Sequence, residues 1–184
     1  MLLLDRADAI AKADAAGVFV GAVRPEMLPA RPYQAPAPVP HTVVTVGART
    51  PVARDRIDIE RGLLAVTRLA PLGTGKGAVV SRAYVLGLEA EEGVRAMLAR
   101  IGALRQWGLG KRRRAGVLVR RLAASDAAPA PDVVLRDAAA QGLAGVAVTG
   151  DAAAVAAYAR AGALADQLGL FLVTCAAGEA GGVR

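Results

Sequence analysis

The sequence predicts an α/β fold, a mixed sheet flanked by helices, in a single main domain with a Pro-rich N-terminal tether. Two observations predict it. Short valine-rich runs such as Val117-Leu118-Val119, Val146-Ala147-Val148 and Leu170-Phe171-Leu172-Val173 alternate with longer alanine-rich helical patterns, the alternation expected of strands buried between helical layers. Hydrophobic residues make up 54% of the chain and aromatic residues only 3%. The core must therefore be built from Ala, Val and Leu, through close approach of small side chains.

Each element has a local reason. Asp5 to Ala16 reads as a helix capped by Asp5 and stopped at Gly17, followed by a buried strand at Val18-Phe19-Val20. Pro29, Pro32, Pro36, Pro38 and Pro40, with Pro25 just ahead, make 24–40 an extended linker, because proline fixes φ and lacks the N–H donor. A strand is expected at Thr42 to Val46. A helix follows over Asp55 to Leu69, presenting Ile57, Ile59, Leu63, Leu64 and Val66.

The stretch Thr74 to Leu88 reads as a hairpin running into a helix from Glu91 to Trp107. That helix places Val94, Met97, Leu98, Ile101 and Leu104 on one core face. Next come a strand at Gly116 to Val119, a helix from Asp132 to Gln141 closed by Gly142, and a strand at Val146 to Val148. Asp151 caps a last long helix that Gly169 ends, and Leu170 to Val173 supplies the final strand. The expected divisions are 1–23, the linker 24–40, a main domain 41–175 and a tail 176–184.

At 184 residues the chain can bury a real core. Its start, Met-Leu-Leu-Leu-Asp-Arg, lacks the features of a secretory signal, and no uncharged apolar run is long enough to span a bilayer. The lone Cys175 cannot make an internal disulfide, so a cytoplasmic setting is expected. A formal charge of +7 favours anionic partners: phosphate ligands or an acidic membrane surface. Lys111-Arg112-Arg113-Arg114 and Arg120-Arg121 flank one strand, and they read either as solvated loop charge or as a diphosphate or acidic-lipid contact. The scarcity of aromatic side chains speaks against RNA.

Few residues carry chemistry. Gly73-Thr74-Gly75-Lys76-Gly77 looks like a phosphate loop, but Lys76 is not followed by Ser or Thr and a strand comes next; it reads as a turn. His41 is the only histidine, so no internal Ser-His relay or histidine metal cluster can form. Cys175 has no histidine near it in sequence and is not expected to be a nucleophile. Glu89, Glu91 and Glu92 form the best acidic group, where a strand hands over to a helix. They are either helix-start charges favoured by the dipole or site residues.

Gly75, Leu86, Glu89, Ala90, Glu92, Gly93, Ala96 and Met97 fall in register with the Val-Glu-Ala-x-Glu-Gly-Thr-Asp-Ala-Met segment of the LpxI-type UDP-2,3-diacylglucosamine pyrophosphatases, and the chain resembles their C-terminal domain. Gly116-Val117-Leu118-Val119-Arg120 and Ala138 to Val148 resemble that family's next strand, helix and strand. The family's Thr-Asp pair is Val94-Arg95 here, and its Gln-Asp-x-Arg-x-Asp loop has only Asp126 as a candidate counterpart, within a shorter segment. Leu3 to Val20 is also similar to the family's closing helix and strand, of which a second copy lies at Ala165 to Leu172. Such a repeat is either convergence or a duplication, and the linker would permit an element swap in a homodimer.

The resemblance implies Mg²⁺-assisted hydrolysis of a UDP-linked glycolipid to UMP and diacylglucosamine 1-phosphate, in the cytoplasm or at the inner membrane. It implies Glu89 and Glu92 as metal ligands and Asp126 and Glu92 as catalytic residues. Gly75, Lys76, Glu89, Gly93, Arg95, Lys111 and Arg120 would bind substrate. The altered loop and Val94-Arg95 leave a second expectation open, a binding or assembly module that keeps the scaffold without the chemistry.

Overall fold

A computed structural model describes residues 6–18, 41–105, 114–123 and 129–177. Two compact units, Met1–Ala37 and Pro38–Arg184, divide the chain. In the first, helix α1 (Arg6–Ala15) is steadied by an exposed Lys12–Asp8 ion pair of 2.6 Å and ends where Gly17 turns left-handed at φ +66°. Val18, expected in a buried strand, lies outside any strand and is 58% exposed. Asp5, Phe19 and Val20 lie outside the described residues.

The second unit is built on one six-stranded mixed sheet. Its strands are β1 (His41–Val46), β2 (Gly77–Ser81), β3 (Tyr84–Leu88), β4 (Val117–Leu122), β5 (Gly145–Gly150) and β6 (Phe171–Ala177), in the order β1-β6-β5-β4-β2-β3. β4, β5 and β6 run parallel, and antiparallel strands close both sides: β1 on β6, and the β2–β3 hairpin on β4. Apolar runs without alternation suit strands covered on both faces.

Helix α2 (Ala53–Leu69) covers one face, packing Ile59, Leu63 and Val66 against Val117, Val119 and Ala78. Gly62 sits where a Cβ would run into the Val119 side chain, so helix and sheet approach at glycine distance. Ile57, expected in this core, is instead 50% exposed, and Leu64 is half-buried. Their positions belong to the outer side of the helix.

Helices α3 (Gly93–Arg105), α4 (Pro131–Ala140), α5 (Ala152–Ala159) and α6 (Gly162–Gln167) build the other face, where Met97, Leu98, Ile101, Leu135 and Leu143 are sealed against Leu118, Val146 and Leu172. Leu104, expected with them, is 54% exposed at the end of α3. Trp107 lies outside the described residues. The single long helix expected after Asp151 is two short ones. Asp151 does cap α5, accepting from the N–H groups of Ala153 and Ala154, but the axis breaks at Arg160–Ala161. There Gly162 presses on β1: a Cβ would lie 2.9 Å from Val46 and 3.2 Å from the Gly47 nitrogen.

Two buried or clamping aspartates tie loops to this frame. Asp166 accepts from the N–H groups of Ala48 and Arg49 after β1. Asp58 of α2 accepts from Arg82 and Ala83 at the hairpin tip, at 3.2 and 2.7 Å. Among the described residues no helix is long and apolar enough to cross a membrane.

Candidate functional site

Three backbone segments meet where the hairpin joins β4. The Gly75 N–H donates to the Glu89 carbonyl at 3.0 Å, the Glu89 N–H to the Gly77 carbonyl at 2.7 Å, and the Arg121 N–H to the Lys76 carbonyl at 2.7 Å. Left-handed glycines at Gly73, Gly75 and Gly93, φ +69°, +72° and +75°, turn the chain around this point. The result is a cleft of about 340 Å³, open on one side and bordered by the loop Gly73–Lys76, the segment Glu89–Glu92 and the first turn of α3.

Of the residues expected to form a site, the structure brings Gly75, Lys76, Glu89, Glu92, Gly93, Arg95 and Arg120 together on this cleft. Lys111 and Asp126 lie outside the described residues. The Gly73 to Gly77 stretch is a turn followed by a strand, as its sequence suggests, with no helix behind Lys76 to make a nucleotide loop.

Charge pairing inside the cleft was not legible in advance. Glu89 is buried on the floor, and Arg120 donates from Nη2 to its Oε1 and Oε2 at 3.3 and 3.5 Å. Arg120 also donates from Nη1 to the Tyr158 hydroxyl at 3.3 Å, while its Nε is buried without a partner. Burial pushes the Tyr158 phenol above its usual range, against the neighbouring Arg120 charge. Gly77 leaves the space that the Glu89 carboxylate fills.

Glu92 stands at the rim. Its Oε1 accepts from Arg100 at 2.7 Å and its Oε2 from the Ala90 N–H at 3.2 Å. The Arg100 hydrogen bond holds its carboxyl below the usual range. Arg95 donates from Nε to Asp137 on α4 at 2.8 Å, so it braces two helices as well as lining the cleft. Cys175 lies within β6, not past it, and burial raises its thiol to about 11.

The carboxylates expected to hold Mg²⁺ are thus each engaged by an arginine. A divalent cation needs several hard oxygen ligands free to turn toward it, and among the described residues no three metal-ligating side chains gather in one place. Glu89 and Glu92 as placed do not fit a metal centre. The cleft also carries cations, Lys76 with Arg95 and Arg120, the last two paired with Asp137 and Glu89, beside the first turn of a helix, whose N–H groups attract negative charge.

Arg120 could have been singled out further from the sequence, since an arginine inside a strand that is otherwise apolar must find a buried partner. Tyr158, Arg100 and Asp137 gave no such signal, because their partners lie 38, 8 and 42 residues away in sequence.

No curated protein matches the chain. The family model of the LpxI C-terminal domain matches residues 42–173, which spans the sheet from β1 into β6 and includes every described wall of the cleft. The chain belongs to the LpxI C-terminal domain family, a family of lipid A biosynthesis.

Proposed function

We propose that the chain is the phosphate-gripping domain of a UDP-2,3-diacylglucosamine pyrophosphatase. The observation that carries this reading is that Lys76, Arg95, Arg120 and the start of α3 all line one cleft. Its volume of about 340 Å³ suits a phosphorylated head group. In the reaction, water adds to one phosphorus of the diphosphate, the bridging oxygen leaves, and UMP and 2,3-diacylglucosamine 1-phosphate result. Arg120, Arg95 and Lys76 would neutralise the charge that gathers on the phosphoryl oxygens.

A second reading is a binding module without turnover. One observation favours it: Glu89 and Glu92 are committed to Arg120 and Arg100, which leaves no carboxylate among them free to activate water.

A single experiment separates the two. The protein is incubated with UDP-2,3-diacylglucosamine and Mg²⁺ while UMP release is followed, and UMP binding is measured by calorimetry. Release that disappears in Asp126→Ala and Glu92→Gln supports turnover. Saturable UMP binding that weakens in Lys76→Gln, without release, supports the binding module. Neither release nor binding sinks both.

A further inference from the structure

The outer side of α2 carries a line of side chains that the fold does not use. Arg54, Ile57, Arg61, Leu64 and Arg68 recur at alternating three- and four-residue steps, which on a helix makes one stripe. The stripe lies opposite the buried line Asp55, Ile59, Gly62 and Val66. Arg54 stands 3.7 Å from Asp55 yet keeps its side chain 60% exposed; Ile57 is 50% exposed, Arg61 and Arg68 are exposed, and Leu64 is half-buried.

Both ends of the stripe are extended. At one end the Asp58 carboxylate fastens the hairpin tip to α2, and at that tip Arg82 is exposed. At the other end Leu72, 73% exposed, directly precedes Gly73 of the cleft. Charge on this side is almost all of one sign. The acids Asp55 and Asp58 are buried, and Glu60 is the exposed acid of α2.

We propose that this side of the molecule docks on an anionic membrane surface, with the arginines on lipid phosphates and Ile57, Leu64 and Leu72 at the head-group boundary. Charge complementarity alone would suit any polyanion. The interleaved aliphatic side chains choose among them, because Ile57 and Leu64 gain from an acyl boundary and gain nothing from a nucleic-acid backbone. Docking by α2 would bring the Leu72–Gly73 corner, and with it the cleft, to the lipid surface. The proposal does not depend on which ligand the cleft takes.

The test is co-sedimentation of the full chain with vesicles of mixed phosphatidylglycerol and phosphatidylcholine, which contain no nucleotide lipid, against vesicles of phosphatidylcholine alone. Binding is expected to the anionic vesicles only and to weaken with salt. Each neutralised arginine should cost roughly fivefold, and Arg54→Gln with Arg61→Gln and Arg68→Gln on the order of a hundredfold. Ile57→Asp should weaken binding further at constant arginine content. All these positions are on the outside of α2, so thermal melts should match the parent protein.

Four results would overturn the proposal. They are equal binding to neutral vesicles, no binding to either, unchanged binding by the triple variant, and loss instead in Lys111→Gln with Arg112→Gln and Arg113→Gln. So would indifference to Ile57→Asp together with equally strong binding of a single-stranded RNA homopolymer, which would mark a general polyanion surface.

Discussion

Arg120 Nη2 lies 3.3 Å from Glu89 Oε1 with the two side chains only 2% and 6% exposed. That separation is long for a charge-assisted hydrogen bond, so the pair is held by its surroundings more than by its own attraction. Arg120→Met should strand a buried carboxylate and cost about 3–5 kcal/mol. Adding Glu89→Leu should recover most of the loss, since an apolar pair of similar volume needs no partner. Urea unfolding midpoints measure both, and a double variant no more stable than Arg120→Met would contradict the pairing.

The hairpin tip gives a second prediction. Arg82 and Ala83 both adopt positive φ, +54° and +65°, without being glycine, a conformation that costs an L-residue about 1–2 kcal/mol. Asp58 holds them there through two N–H groups. Asp58→Ala should destabilise by about 1–3 kcal/mol, and Ala83→Gly should stabilise by about 0.5–1 kcal/mol because the turn then suits its residue. Equal midpoints for Ala83→Gly and the parent would show that the tip is not strained.

Alkaline pH should loosen the fold in a defined order. Burial raises the Cys175 thiol from 9.0 to about 11 and also raises the Tyr158 phenol above 10.0. Both groups bind their protons more tightly folded than unfolded, so stability is intact below their unfolded values and falls as pH climbs through the folded ones. Cys175 acts first, over pH 9 to 11, and Cys175→Ala should flatten that part of the curve. A disulfide reagent should label native Cys175 only as fast as the sheet opens. Rapid labelling of folded protein would contradict its burial.

Gly62 tests the layer contact. A Cβ there collides with the Val119 side chain, so Gly62→Ala should lose about 1–3 kcal/mol to overpacking even though alanine is the better helix former. Pairing it with Val119→Ala should relieve much of that cost. A Gly62→Ala variant more stable than the parent would mean that α2 can lift away freely.

Much of this architecture was legible because it is local. Valine-rich runs bounded by glycine mark β4 and β5, and Asp151 and Gly142 mark helix ends through backbone chemistry close by in sequence. What was not legible depends on residues far apart. The break between α5 and α6 answers to Gly162 touching β1, and the outward turn of Ile57 answers to the direction from which the sheet meets α2. Glu89 stood out as an acid at a strand-to-helix step, yet its neutralisation needs Arg120 from another strand. A carboxylate placed to take a ligand and one already paired look alike until the fold supplies the partner.

β1 joins the sheet only through β6, with His41 opposite Ala177 and Val46 opposite Leu172. During synthesis the first strand of the domain therefore waits, its hydrogen-bonding groups open, until β6 has left the ribosome, and its closure is the step with the longest loop to gather. Truncation between Gly150 and Phe171 would keep α2, the hairpin, β4 and β5 in the chain but leave β1 with nothing to pair with. The order of manufacture and the order of assembly run in opposite directions at this edge.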